Sequence, residues 1–271
     1  MSIVTSDWLE KNLSEVKIID CSWHMPGIDR NPKEEYLKNH IPGAIFFDLD
    51  KNSDQNTDLP HMLPTKEKWE EIVSLMGISN NNRVVIYDNS DVLSSCRGWY
   101  NFIYFGHNKH LVSVLDGGLK KWLIEKKKTT SEKTILKKSS YVARENKNLV
   151  KNILEINENI EQKNFTVIDA RSKERFDGSV PDPRKNVRSG SIQNSVCLPF
   201  KEIINTSDNT FKDTSEISKK FNEVIDLNDH KRVFSCGSGV TACVLGLAYS
   251  LVNNTYSPTV YDGSWAEYGR I

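Results

Sequence analysis

The chain carries five cysteines, at positions 21, 96, 197, 236 and 243, and one of them stands where sulfur chemistry is expected. Val233-Phe-Ser-Cys-Gly-Ser-Gly-Val-Thr-Ala242 reads as a strand, a cysteine, a glycine-rich bend and the start of a helix. Glycines let the backbone turn so that successive N–H groups converge on one point. The first amides of a helix have no acceptor within it and add a partial positive charge. A thiolate at Cys236 is suited to that focus, and so is a terminal sulfur atom added to it. The cradle comprises the backbone of Gly237, Gly239, Val240 and Thr241, with the Ser238 hydroxyl inside the loop. The plainer alternative is a buried cysteine at an ordinary strand-to-helix turn. Cys243 fits that alternative, since it shares the apolar face of the following helix with Val240, Val244, Leu247, Ala248 and Leu251. An odd cysteine count without a CxxC pair argues against a disulfide framework and against a zinc site.

The elements that must position this loop occur twice. Lys17-Ile-Ile-Asp20 resembles Thr166-Val-Ile-Asp169, and Val84-Val-Ile-Tyr-Asp88 resembles Arg232-Val-Phe-Ser-Cys236. Leu115-Asp-Gly-Gly-Leu-Lys-Lys-Trp122 resembles Tyr261-Asp-Gly-Ser-Trp265, so three matches follow in one order at a nearly constant offset. Short apolar runs at 16–19, 83–87, 112–115, 167–168, 232–235 and 259–261 are bounded by Asp, Gly, Asn or Pro, as buried parallel strands are. Amphipathic stretches such as 65–76 and 239–252 lie between them. The alternation predicts an α/β chain of two tandem domains, each a mostly parallel sheet flanked by helices. The expected divisions are residues 1–125, a lysine-rich surface linker at 126–150, and residues 151–271.

Lys+Arg and Asp+Glu both number 36, and a net charge of zero argues against nucleic acid as the main partner. The longest nearly apolar run, 242–252, is far below the ~18 residues of a membrane span. Asp7, Glu10 and Glu15 precede the first arginine, Arg30, so the N-terminus does not read as a targeting segment and the expected location is cytoplasmic.

Cys-Gly-Ser-Gly-Val-Thr-Ala242 resembles the active-site loop of the 3-mercaptopyruvate sulfurtransferases, within the rhodanese superfamily. His40-Ile-Pro-Gly-Ala44 is similar to that family's signature near the start of its first domain, and Asp262-Gly-Ser-Trp265 to its C-terminal signature. The resemblance spans the whole chain and implies two rhodanese-like domains, the second one active. It implies transfer of sulfur from 3-mercaptopyruvate onto Cys236 as a persulfide, then to a thiol acceptor such as thioredoxin, or to cyanide. No metal or organic cofactor is implied. Asp88 stands where Cys236 stands in the second half, and a carboxylate cannot carry a persulfide, so the first domain is expected to be non-catalytic and to wall the site.

The family's two substrate-binding arginines are matched by Arg175 and Arg184, in a loop with one glycine and two prolines. Guanidinium groups can hold the carboxylate and carbonyl oxygens of a 2-oxo thiol acid in a fork. The alternative for these arginines, and more so for Arg171 and Arg188, is local ion pairing with Glu174, Asp177 and Asp182. A Ser–His–Asp arrangement proposed for family members maps onto Ser238, His40 and Asp29, delivering a proton to the departing enolate. His40 could instead only cap a turn. One departure is Gly190-Ser-Ile-Gln-Asn194, where the family often repeats Gly-His-Ile-Pro-Gly; it bears on the local turn rather than on the chemistry.

Three rivals remain. A thiosulfate sulfurtransferase typically carries basic residues after the cysteine, where this chain has neutral Gly237 and Ser238. A cysteine phosphatase needs an arginine six residues after the cysteine, where this chain has Ala242. A non-catalytic binding module would keep the fold without the chemistry.

Overall fold

In the computed structural model, which describes residues 2–226, 231–253 and 255–271, the repeated motifs become equivalent strands of two separate sheets. The chain divides into two units. The first gathers the chain up to Gln55 with Leu63–Asn146 and Thr206–Thr210; the second gathers Asn56–Met62, Lys147–Asn205 and Phe211–Ile271.

In chain order the first unit contains β1 (Ile3–Val4), α1 (Ser6–Lys11), β2 (Lys17–Asp20), α2 (Pro32–Lys38), β3 (Ala44–Phe46), α3 (Lys66–Leu75), β4 (Val84–Tyr87), α4 (Ser95–Tyr104), β5 (Val112–Leu115) and α5 (Gly118–Ile124). Its strands lie in the order β1-β5-β4-β2-β3, with every pairing parallel. The second unit contains β6 (Val150–Lys151), α6 (Ile153–Gln162), β7 (Thr166–Asp169), α7 (Lys173–Asp177) and β8 (Val196–Cys197). A separate ribbon pairs β9 (Ile204–Asn205) with β10 (Thr210–Phe211). Then follow α8 (Thr214–Asn222), β11 (Arg232–Ser235), α9 (Val240–Val252), β12 (Val260–Tyr261) and α10 (Ser264–Tyr268). Its main sheet runs β6-β12-β11-β7-β8, again parallel throughout, which is the first sheet's order element for element. The outermost strands are two or three residues long, too short to show a pattern in sequence.

Local chemistry sets the element ends. Thr65 caps α3 through the Lys68 amide, and Asn152 with Glu155 closes a capping box on α6. Central strands β4 and β11 are buried along their whole length, as two-sided parallel strands must be. Trp122 packs with Val85, Tyr87 and Leu115 in the first unit, and Trp265 with Val167, Val233 and Tyr261 in the second. The lysine-rich stretch forms no long element and lies along the first unit. Thr130 exchanges main-chain hydrogen bonds with His40, and Tyr141 is buried with its hydroxyl 3.3 Å from His107 Nδ1.

The departure at Gly190–Asn194 leaves the turn intact. Asn194 takes the left-handed conformation (φ 62) that Gly43 takes in the first unit (φ 79), and the Ser195 amide donates to Ile192 as the Ala44 amide donates to Ile41. Asparagine tolerates this conformation better than most residues.

The repeats differ in how they treat one buried carboxylate. Asp169, at the end of β7, receives a fork of hydrogen bonds from Arg171 (2.7–3.1 Å), and both side chains are buried. Its counterpart Asp20, at the end of β2, has Ser22 in the arginine's place, donating from its amide at 3.0 Å. Burial, only partly offset by hydrogen bonds from Ser22 and Tyr87, pushes the Asp20 carboxyl up to about 6. The folded state therefore holds this proton more tightly than the unfolded chain does. The stability this provides is full at low pH and is lost as pH rises between about 4 and 6, a difference of roughly 3 kcal/mol. Asp20→Asn should remove this component: the unfolding free energy of the variant relative to wild type should rise by that order between pH 4 and pH 7. Parallel urea-unfolding profiles across that range would contradict the assignment.

Candidate active site

β11 ends at Ser235 and α9 begins at Val240, so four residues reverse the chain. Gly239 makes the reversal possible with φ 78, and α9 starts without a side-chain cap. Its first amides thus lack acceptors in the helix and point back toward the loop. Cys236 lies at the head of this loop and is 2% exposed. Its backbone is tied to the C-terminal Asp-Gly-Ser-Trp motif. The Cys236 amide donates to Ser264 Oγ (3.3 Å), Cys236 O accepts from the Trp265 amide (3.0 Å), and Gly237 O accepts from the Ala266 amide (2.9 Å). Ser264 holds a left-handed backbone (φ 49), the conformation its counterpart Gly118 adopts in the first unit (φ 52). The strained serine supplies the hydroxyl that receives the Cys236 amide and itself donates to Tyr261 O (2.8 Å).

Arg175 and Arg184 converge on this loop. A Cβ built on Gly237 would stand 2.9 Å from Arg184 Nη2, 3.2 Å from Arg184 Nη1 and 3.5 Å from Arg175 Nη2. Two guanidinium groups therefore rest on the residue that follows the cysteine. Both are held by Asp182: Arg175 Nη2 donates to Oδ2 (2.8 Å), while Arg184 donates to Oδ1 from Nη1 (3.2 Å) and from its own amide (3.0 Å). Burial works to raise the Asp182 carboxyl, but the Arg175 hydrogen bond, the Arg184 amide and both positive charges hold it below the usual carboxylate value. Arg175 Nε is buried and without a hydrogen-bond partner among the described residues.

The remaining arginines of the cluster are structural. Arg171 pairs with Asp169 and lies 4.6 Å from the Trp265 ring centroid, and Arg188 lies 4.7 Å from the same centroid. The other thiols are engaged elsewhere. Cys243 Sγ, in the α9 core, lies 3.1 Å from Gly239 O; burial holds the Cys21 thiol well above its ordinary value and pushes that of Cys197 up to about 12.

The assignment of the histidine is corrected by the structure. Ser238 Oγ is 2.9 Å from Nδ1 of His61, not from His40. His40 is fully buried, stacked on Tyr36 at 4.1 Å, with Nδ1 2.6 Å from Tyr36 O and Nε2 3.2 Å from Glu132 O. Both its ring nitrogens face main-chain carbonyls, which leaves neither to relay a proton. Asp29 is exposed and is not a partner of the His40 ring. His61 lies between two prolines in Pro60-His-Met-Leu-Pro64 and has a left-handed backbone (φ 62). That segment belongs to the second unit although it is encoded in the first half of the chain. The only signal for it in sequence is a histidine in a short proline-bounded loop.

In the first unit the same frame carries a carboxylate. Asp88 follows β4 as Cys236 follows β11, and its main-chain oxygen accepts from Leu119 (2.9 Å) as that of Cys236 accepts from Trp265. The Asp88 carboxylate receives the Ser90 and Ser95 amides (both 2.9 Å), and burial nonetheless raises its carboxyl.

Two parallel sheets of identical strand order, one carrying a thiol in a strand-to-helix turn beneath paired arginines, define a duplicated sulfur-handling α/β protein. The chain belongs to the rhodanese-like domain family, whose model matches residues 5–125 and 153–270, and it is an enzyme of the sulfurtransferase class. It is 41% identical to the mitochondrial thiosulfate/3-mercaptopyruvate sulfurtransferase 1 of Arabidopsis thaliana, over 98% of this chain and 75% of the relative. It is 37% identical to the 3-mercaptopyruvate sulfurtransferase of Rattus norvegicus, over 98% of this chain and 91% of that one. The crystal structure of SseA from Escherichia coli, described as showing the fold and mechanism of 3-mercaptopyruvate sulfotransferases, superposes with a TM-score of 0.87 at 31% identity. That superposition covers 98% of this chain and 100% of SseA. Among the described residues no helix is long and apolar enough to cross a membrane.

The Gly237 contact gives a direct test. Gly237→Ala places a methyl group against the flexible end of Arg184, which can move aside. The fold should lose no more than about 1 kcal/mol, while KM for an anionic sulfur donor should rise roughly tenfold. An unchanged KM in steady-state kinetics would separate the arginines from donor binding.

Proposed function

We propose that the enzyme takes sulfur from 3-mercaptopyruvate through a persulfide on Cys236 and passes it to a thiol acceptor or to cyanide. The observation that carries this reading is the seating of two guanidinium groups on Gly237, beside the only cysteine at the head of the α9 turn. A planar 2-oxo acid offers carboxylate and carbonyl oxygens to such a pair. The Cys236 thiolate attacks the donor's sulfur, an S–S bond forms, and the C–S bond breaks with its electron pair moving into the pyruvate enolate. The loop amides of residues 237–242 stabilise the anionic sulfur. Ser238, with His61 at its hydroxyl, delivers the proton that converts the enolate to pyruvate. An acceptor thiol, thioredoxin in the simplest case, then attacks the outer sulfur and restores the Cys236 thiolate. With cyanide as acceptor the product is thiocyanate. The five free thiols suit a reducing compartment, which we take to be the cytoplasm.

The second reading is thiosulfate as donor, a substrate that appears in the name of the plant relative. Neutral Gly237 and Ser238 favour the oxo acid. Comparing kcat/KM for the two donors decides between them: mercaptopyruvate should be preferred, and a clear preference for thiosulfate would overturn the choice. Cys236→Ser should abolish transfer from either donor; residual turnover in that variant would remove the thiol from the mechanism. His61→Ala should lower kcat by about 10²-fold or more with mercaptopyruvate, whereas His40→Gln should lower the melting temperature and leave kcat near wild type. The reverse pattern would restore His40 as the proton donor.

A further inference from the structure

Among the described residues Asp182 is the one carboxylate in contact with both donor-facing arginines. It is nearly inaccessible, with 1% of its side chain exposed, and both of its oxygens are occupied by guanidinium or main-chain donors. Two positive groups and one negative one leave the arginine cluster with a single net positive charge. The hydroxyl and amides beside it are neutral. Asp182 is buried and the arginines are only partly exposed, so charge mismatch between pocket and ligand is costly where water solvates it poorly. With the Cys236 thiolate of the proposed mechanism adding its own negative charge, the single remaining positive charge of the cluster favours a monoanion such as a 2-oxo thiol acid. A dianion such as thiosulfate would meet twice that repulsion from Asp182 and from the thiolate.

We infer that Asp182 is a specificity-determining residue, which locks Arg175 and Arg184 against the Cys236 loop and, by cancelling one of their two charges, favours a monoanionic over a dianionic sulfur donor. The inference rests on the proposed sulfur-donor reading and adds the element that selects among donors. Asp182 does not touch the reacting atoms. It acts through the two arginines, whose positions it fixes from opposite oxygens of one carboxylate. The unpaired Nε of Arg175 remains as a buried donor that the carboxylate does not use. Specificity of this kind arises as much from the penalty on the wrong ligand as from affinity for the right one.

The test uses Asp182→Asn, which keeps the shape and removes the charge, and Asp182→Glu, which keeps the charge. The ratio of kcat/KM for mercaptopyruvate to that for thiosulfate should fall about tenfold or more in Asp182→Asn. It should return toward wild type in Asp182→Glu. An unchanged ratio, or one shifted toward mercaptopyruvate, would overturn the inference, since a purely structural role would slow both donors alike. Absence of Cys236-dependent turnover with either donor in the wild-type enzyme would instead defeat the sulfur-donor reading itself. A measurement on the wild-type chain guards against a variant that does not fold. Methanesulfonate and sulfate share a tetrahedral shape and differ in charge, and the monoanion should compete with the donor at a concentration about tenfold lower. Stronger competition by sulfate would also overturn the inference.

Discussion

The four-residue turn between β11 and α9 is the constraint on which the rest depends. It brings a strand end and the N-terminus of a helix together at the residue at its head. The turn does not hold itself in place. Ser264, Trp265 and Ala266 bind its backbone at three points, and the Arg175–Asp182–Arg184 cluster presses on Gly237 from another side. A thiol in such a frame has little freedom to wander, and placement within a fraction of an ångström is what nucleophilic attack requires. Its low exposure follows from the same frame.

The first unit shows what the same frame does without a thiol. Asp88 occupies the equivalent position and fills its own amide environment with a carboxylate, through the Ser90 and Ser95 amides. An internal anion has taken the place that an anionic sulfur would occupy. The loss extends to the neighbouring strand, where Ser22 replaces the arginine that neutralises Asp169 in the second unit. Asp20 is thereby left as a buried carboxyl raised to about 6. The two copies keep one backbone frame and differ in the charges set on it.

Much of this was legible in the sequence, for a physical reason. Cys236, its glycines and Ser238 lie in one short segment that local pattern was enough to single out, whereas the family resemblance was needed to pick Arg175 and Arg184 from four nearby arginines. The repeat exposed both sheets, because apolar strands at a constant offset need no tertiary knowledge to be noticed. The histidine was different. His61 reaches Ser238 across 177 residues of sequence, in a segment that leaves its neighbours in the chain and joins the second unit. His40 was the more conspicuous histidine, in a recognisable motif, yet its ring serves the first unit by stacking on Tyr36 and bonding two carbonyls. The short edge strands were missed as well, since two residues cannot display a period.

The most direct test of the central claim is peptide-mapping mass spectrometry of the enzyme after exposure to mercaptopyruvate without an acceptor. The account expects a gain of about 32 Da, one sulfur atom, on the peptide containing Cys236, lost again when a thiol is added. No gain, or a gain confined to Cys21, Cys96, Cys197 or Cys243, would contradict it.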